Sequence, residues 1–325
     1  MRDYRFDNLK GIMIFLVLFC HFIEAMYASW QDDLVTRYLD FFIYLFHMPV
    51  FVFISGYFSK KCDSENYYKK TISNYLIPYL LFNFIYGLID FGGSVGGSIA
   101  GILYPRWTLW FLLSLFMWKI MVKPFSMFKG AFWLSVLISL YVGFTGMEVF
   151  MSLSRTFCFF PFFLAGFLIP EQYIEKVRSL NKGYAVLALA FACGALILIQ
   201  ILGVEISALH MSLPYDKTSD IAPAGERLLI LVTGFVCIAG LVMVITDKKC
   251  IISTIGKNSI IIFLIHSGIF RALIKAFPDS ISNGRVCVGL AALFSAIVCL
   301  LFGNEFCARL YHAVMNRISS VLLKA

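Results

Sequence analysis

Asp7-Asn8-Leu9-Lys10-Gly11, an unbroken apolar run from Ile12 to Phe19, and Cys20-His21-Phe22-Ile23-Glu24 form the stretch whose reading decides the fold. The run and its flanks are long enough to cross a bilayer as a helix. Lys10 and His21 are eleven residues apart. At about 100° per residue that separation is three turns plus about 20°, so both side chains share one helix face, about 16 Å apart along the axis. Asp7 and Glu24 fall within the same broad arc. An ionisable group at membrane depth is costly and tends to face a protein interior or a water-filled cavity, which makes a functional site the default reading. The other reading has Lys10 snorkelling to the interface and His21 bonded to a neighbouring helix. This stretch alone leaves both open.

The rest of the chain agrees with a membrane-embedded first helix. Its 325 residues are 60% hydrophobic and 14% charged, whereas a soluble domain carries about a quarter charged residues. The sequence therefore reads as an all-α, polytopic membrane protein. The net charge of +8 does not imply nucleic acid, because the basic residues stand in short clusters between apolar runs, as membrane topology requires. Nine cysteines are scattered singly, with no C-x-x-C and no cysteine–histidine spacing, so neither a structural disulfide nor a metal site is expected. Arg2, Arg5 and Lys10 give the start the look of a signal peptide. The apolar run that follows holds His21 and Glu24 and lacks a small-residue cleavage site, so it reads as a retained helix.

Apolar runs of spanning length lie at about 11–30, 38–58, 72–91, 107–123, 130–147, 152–170, 183–203, 227–246, 251–271 and 286–306, which makes about ten transmembrane helices. The fourth, short and flanked by Arg106 and Lys119, is the marginal one. The even connections carry Lys60, Lys61, Lys69 and Lys70; Lys119, Lys123 and Lys129; Lys176, Arg178 and Lys182; and Lys248 and Lys249. The tail adds Arg309, Arg317 and Lys324. The odd connections are sparser in basic residues, which places both termini in the cytoplasm. Arg271, Lys275 and Arg285 run against that bias, and Lys217 and Arg227 are the basic residues of the preceding outer connection. Gly92-Gly93-Ser94-Val95-Gly96-Gly97-Ser98 reads as a flexible loop. The connection from about 204 to 226, with His210, Pro214, Asp216, Asp220 and Pro223, is either a lid or a solvated connector. The whole of 1–325 reads as a single membrane-embedded domain with no appended soluble domain.

With this topology His21 lies near the midplane and Glu24 one turn further out. The second helix runs inward and puts His47 in the outer half; Pro49 removes a backbone donor there and can kink the helix, freeing a carbonyl that needs a partner. Ser55-Gly56-Tyr57 ends that helix near the inside. Arg155 sits at the outer mouth of the sixth span and His266 in the outer half of the ninth. Together these residues describe a polar chamber that opens outward, with His21 at its floor and Lys10 facing the cytoplasm. Each taken singly also reads as a satisfied packing residue.

Several of these residues stand in a family pattern. The chain resembles the acyltransferase-3 family of integral membrane acyltransferases, in particular its short bacterial members resembling fucose O-acetylases. The resemblance rests on Asp7-x-Leu9-Lys10-Gly11 with Lys10-x(10)-His21, and on Phe46-His47-Met48-Pro49-Val50-Phe51-x-Phe53-Ile54-Ser55-Gly56-Tyr57. It continues through Ile77-Pro78-Tyr79, Leu109-Trp110-Phe111-Leu112, Phe160-Pro161-Phe162-Phe163-x-x-Gly166 and Gly256-Lys257-Asn258-Ser259 with His266. Lys10 stands where many members have arginine. The outer loops and the seventh and eighth spans match nothing in the pattern. The resemblance implies acyl transfer, usually acetyl, from cytoplasmic acyl-coenzyme A (acetyl-CoA) to a hydroxyl of a cell-surface polysaccharide or its lipid-linked sugar precursor, in a bacterial cytoplasmic membrane. It also implies that His21 is catalytic and Lys10 its essential partner.

The residues are suited to that chemistry. A sugar hydroxyl is a weak nucleophile, and a neutral imidazole is the side chain best poised near pH 7 to take its proton as it attacks a thioester. Glu24 or Asp7 is placed to orient the ring. Lys10 either meets a phosphate of coenzyme A or pairs with Asp7 to fix the helix. Trp110, Arg155 and His266 either line the acceptor chamber or pack. Direct transfer and a route through an acyl-histidine both fit. A transporter or flippase for a glycan precursor is the competing function, since a polar chamber in a ten-helix bundle also describes a permeation path. Such proteins more often show inverted repeats, and none is visible.

Overall fold

The computed structural model describes residues 3–62, 64, 66–146, 150–212, 214–215, 222–277 and 281–323. Arg2, Asp216, Lys217, Asp220 and Lys324 lie outside the described residues. In chain order the α-helices are α1 (Arg5–Met26), α2 (Leu34–Tyr44), α3 (His47–Tyr57), α4 (Tyr67–Thr71), α5 (Ile77–Asp90) and α6 (Val95–Ala100). There follow α7 (Trp110–Ser126), α8 (Ala131–Tyr141), α9 (Leu153–Leu168), α10 (Glu171–Ser179), α11 (Gly183–Ile201) and α12 (Ile206–His210). The last five are α13 (Ala222–Val244), α14 (Ile251–Lys257), α15 (Ser259–Ala276), α16 (Gly284–Phe302) and α17 (Glu305–Leu322). No strand occurs among the described residues.

Nine helical stretches among the described residues are long and apolar enough to cross a membrane, and Ala131–Phe144 is a shorter apolar one. This is the all-α, polytopic membrane architecture read from the sequence. The short span is the fifth, not the fourth, because the fourth extends from Trp107 through Lys119 to Ser126. The expected ninth run is two helices, α14 and α15, divided at Asn258, whose side chain donates to the Gly303 carbonyl at 3.2 Å. The expected tail is the amphipathic α17.

The chain forms two compact units. The first takes in Met1–Phe51, Glu171–Val204 and Ile230–Leu310. Its central helix is α1, which buries Leu9, Met13, Ile14, Val17, Leu18 and Ile23. α1 and α14 cross with their backbones in contact. A Cβ on Gly256 would strike the Asp7 carbonyl oxygen, and one on Gly11 would strike the Ile252 carbonyl oxygen. Only glycine admits so close an approach. One turn before Gly11, Asn8 donates from Nδ2 to the carbonyls of Thr246 at 2.8 Å and Lys248 at 3.0 Å. That fixes the chain entering α14.

The second unit takes in Val52–Pro170, Glu205–Leu229 and Tyr311–Ala325. A second glycine crossing holds it: a Cβ on Gly56 would strike the Phe163 carbonyl oxygen, and one on Gly166 the Phe53 carbonyl oxygen. Around this crossing hydroxyls join the helices, as is common where helices pack in lipid. Ser114 and Thr156 pair at 2.7 Å, Trp118 Nε1 donates to the Thr156 carbonyl at 2.6 Å, and Ser139 donates to the Cys158 carbonyl at 3.0 Å.

Four expectations about loops change and a fifth gains contacts. Ser94 caps α6 by accepting from the Gly97 amide at 3.2 Å, so half of the glycine-rich stretch is helical. In the connection from about 204 to 226, the Met211 carbonyl accepts from Ser154 Oγ at 3.1 Å, and Tyr215 OH donates to the Leu140 carbonyl at 3.1 Å. Lys119 lies buried in α7, its ammonium donating to Ser59 Oγ at 2.7 Å and facing the rings of Tyr67 and Tyr75. Arg227 is likewise buried in α13, donating to the Ser139 carbonyl at 3.0 Å over the Tyr215 ring. Arg271 and Lys275 belong to the end of α15, and Arg285 to the first turn of α16.

Adding one methyl at a crossing forces the two helices apart. Gly256→Ala and Gly56→Ala are each expected to cost about 1–3 kcal/mol, in the usual range for overpacking. Gly194→Ala, in α11 with nothing within 4 Å of the added Cβ, is expected to be neutral or slightly stabilising. Denaturant unfolding of the three variants in lipid nanodiscs measures the difference.

Candidate functional site

Of the residues expected to share a chamber, His21, Glu24, His47 and His266 lie in the first unit, and Arg155 lies in the second. His21 projects from the last third of α1, and Glu24 follows one turn on. The His21 Nδ1 lies 3.0 Å from Glu24 Oε2. Tyr44, at the end of α2, donates its hydroxyl to Glu24 Oε1 at 2.9 Å. The Glu24 carboxylate thus receives one partner on each oxygen. An ionised carboxylate only accepts, so it draws the proton of the imidazole to Nδ1 and leaves Nε2 with a lone pair.

The ring is also held from its face. His266 of α15 stacks on His21, with centroids 5.6 Å apart and planes 19° from parallel. Phe270, one turn along α15, meets the His21 ring edge-on at 6.5 Å. His266 is anchored in turn through Nδ1, which lies 2.7 Å from the Phe263 carbonyl and 3.2 Å from that of Ile262. Its Nε2 is buried with no hydrogen-bond partner among the described residues. His21 and Glu24 keep 26% and 22% of their side chains exposed, whereas His266 is buried.

The second helical run explains how Tyr44 arrives. α2 stops at Tyr44 and α3 starts at His47, and the interruption covers Leu45 and Phe46. It falls one turn before Pro49, where the proline ring conflicts with the carbonyl of Leu45. His47 Nδ1 lies 2.8 Å from the Ile43 carbonyl at this break. Its ring meets Tyr44 edge-to-face at 4.7 Å. His47 therefore supports the tyrosine that supports Glu24.

The remaining residues form separate groups. Lys10 pairs with Asp7 at 2.8 Å near the start of α1, and Asp7 is buried. In the second unit Arg155 lies over the Trp110 ring at 4.9 Å, and its Nε donates to the His210 carbonyl at 3.2 Å. Trp110 stacks on Phe159 at 5.5 Å. Ser55, also in the second unit, gives its carbonyl to Ser59 Oγ at 2.6 Å. Sequence reasoning missed Tyr44 and Asp40. Asp40 is fully buried one turn before Tyr44, beside Cys20 and within electrostatic reach of Glu24. The i, i+4 spacing of Asp40 and Tyr44 on an apolar helix was the available signal. No cluster of three or more histidine, cysteine or acidic residues among the described residues is placed to hold a metal ion.

A family model described as an acyltransferase domain matches residues 3–303. The chain belongs to the acyltransferase-3 family. It is thus a multi-pass membrane acyltransferase. Nodulation protein NolL of Sinorhizobium fredii is 24% identical to this acyltransferase over 340 residues, covering 93% of this chain and 86% of that protein. Nodulation protein NolL of Mesorhizobium japonicum is 20% identical over 313 residues, covering 88% of this chain and 80% of that one. No solved structure matches the chain.

The hydrogen bonds of Tyr44 and His21 to Glu24 can be tested on the acyltransferase reaction. Hydrogen bonds to charged groups contribute roughly 1.5–3 kcal/mol, so Tyr44→Phe is expected to lower turnover about 10-fold or more. Glu24→Gln is expected to lower it further. Both are expected to leave the apparent affinity for the acyl donor within about twofold of wild type, which steady-state kinetics with varied donor would show.

Proposed function

We propose that this acyltransferase is an O-acetyltransferase of the bacterial cytoplasmic membrane. In this reading the chain acts as one membrane-embedded domain with both termini in the cytoplasm. It moves an acetyl group from cytoplasmic acetyl-CoA to a hydroxyl of a cell-surface carbohydrate or its lipid-linked precursor. The observation that carries the reading is the His21–Glu24–Tyr44 constellation, an imidazole held at Nδ1 by a carboxylate on a side chain that stays 26% exposed.

His21 is the general base. Its Nε2 takes the proton of the acceptor hydroxyl as the oxygen attacks the thioester carbonyl. When the carbon–sulfur bond breaks, the same proton passes to the departing thiolate, so the reaction closes with no net proton uptake. Such help contributes roughly 10²–10⁴ in rate. Glu24 keeps the ring in its working tautomer and faces the imidazolium that forms during attack. Tyr44, with His47 behind it, fixes Glu24.

Lys10 stands three turns from His21, about 16 Å along α1. Its ion pair with Asp7 fixes the ammonium at one site on the helix, and a cation there suits a phosphate of the donor. A pantetheine arm then reaches from Lys10 toward His21. His266 is assigned to the chamber wall against the His21 ring, and the Arg155–Trp110 pair to the carbohydrate. Arginine and tryptophan are apt for that role, offering a fork of donors and an aromatic face. Ser55 is a supporting residue.

The test is acetyl-CoA binding and slow hydrolysis by the purified protein in lipid, where water replaces the missing acceptor. Wild type is expected to release free coenzyme A. His21→Ala is expected to lose roughly 10²–10⁴ of that rate while still binding the donor. Lys10→Ala is expected to weaken donor affinity about 10-fold with less effect on the rate at saturation. A wild-type protein that does not bind acetyl-CoA would overturn this choice of donor.

A further inference from the structure

The first unit also carries an apolar groove of about 470 Å³ between α2, α11 and α13. Phe42 and Phe46 form one wall, and Ala185, Ala188 and Ala192 of α11 form another. Gly240 of α13 closes the floor: a Cβ there would come within 2.9 Å of the Ala188 Cβ. The small residues that bring α11 and α13 together thus leave a channel above their line of contact. Lys182 stands at one end of the lining and Ala192 towards the other. Ten helical residues separate them, about 15 Å, which is the depth of one leaflet of a hydrocarbon core about 30 Å thick.

The charge at the end of the groove limits what fills it. The Lys182 ammonium makes no hydrogen bond or ion pair with any described residue. Its neighbour Arg178 is engaged, meeting Asp247 at 2.7 Å and Glu175 at 3.7 Å. The Arg178 guanidinium holds the Asp247 carboxyl below the usual carboxylate range. A leaflet-deep apolar slot with one uncommitted cation at its end complements an amphiphile with an anionic head. We propose that the groove holds one acyl chain of an anionic membrane phospholipid, with its phosphate against Lys182. The site does not depend on the donor or acceptor of the acyl transfer.

The lipid has a route to the reaction as well. Phe42 and Phe46 pack edge-to-face at 5.5 Å on the same interrupted segment that presents Tyr44 and His47. A chain seated against them stiffens the segment that holds Glu24.

The experiment is native mass spectrometry of protein released from nanodiscs of equal parts phosphatidylethanolamine and phosphatidylglycerol. Wild type is expected to retain phosphatidylglycerol in preference. Lys182→Gln is expected to lose that preference about fivefold, the effect of one basic residue near a membrane surface, and Lys182→Arg to keep it. Ala185→Phe, which fills the slot, is expected to retain neither lipid; monodisperse elution and an unchanged helical circular dichroism spectrum check that it folds. Equal retention of the two lipids by wild type, or an unchanged preference in Lys182→Gln, would overturn the assigned headgroup. Retention unaffected by Ala185→Phe, or a dimer cross-linked through Val186→Cys, would overturn the assigned occupant.

Discussion

The backbone contact between α1 and α14 is the constraint on which the first unit depends. Gly11 and Gly256 are 245 positions apart in the chain, yet each lies where a Cβ would enter the other helix's backbone. Lipid offers helices no hydrophobic reason to associate, so packing must come from shape and from hydrogen bonds. Two glycines supply the shape. Asn8, buried one turn away, supplies the bonds by satisfying two carbonyls ahead of α14. The crossing sets the rotation and depth of α1, and with them the position of His21 ten residues later. α15 follows α14 after a break of one residue, so the same crossing also places His266 against the His21 ring.

The interrupted second helix supplies the other half of the arrangement. A continuous helix from Leu34 to Tyr57 would carry its backbone bonds without interruption. Pro49 prevents that. At the break the Ile43 carbonyl accepts the Phe46 amide at 3.1 Å, and His47 Nδ1 approaches the same carbonyl at 2.8 Å. That places the His47 ring against Tyr44, and the Tyr44 hydroxyl then reaches Glu24 across the gap to α1. The motif Phe46-His47-Met48-Pro49 is thus a backbone device that fixes a tyrosine, and the tyrosine fixes the acid. Its polar side chains are satisfied inside the protein, as burial in an apolar environment demands.

Much of this was legible in the sequence. The apolar runs gave the spans because only helices and closed barrels satisfy every backbone group in lipid. The depth of His21, Glu24 and His266 followed from residue counts at 1.5 Å per residue, and these three side chains do meet. What escaped depends on side-chain length. Lys119 and Arg227 read as loop cations because hydropathy scores a charged residue as an end of a span. Each is long enough to carry its charge to a hydroxyl, a carbonyl or an aromatic face within the unit. Tyr44 escaped for the opposite reason: in an aromatic-rich helix only its i, i+4 spacing from Asp40 sets a hydrogen-bonding hydroxyl apart from a packing ring. The glycine-rich stretch looks flexible by composition, yet Ser94 accepts from the Gly97 amide and starts a helix there.

The proposed role of His21 would set a base in a membrane helix, and the site shows how such an imidazole is held there. A lone histidine on α1 would rotate freely about its side-chain bonds, and a working base must be held to about 0.5 Å. Three helices share that task here. α1 contributes the ring and its acid, the end of α2 fixes the acid through Tyr44, and α15 presses His266 and Phe270 against the ring. Only one of the ring's two nitrogens is consumed by this support. Had Nε2 been the atom bonded to Glu24, the same packing would hold the ring equally well and the free lone pair would lie on Nδ1 instead. The one-turn spacing of His21 and Glu24 on a single helix sets Nδ1 as the structurally satisfied nitrogen and leaves Nε2 as the chemically available one.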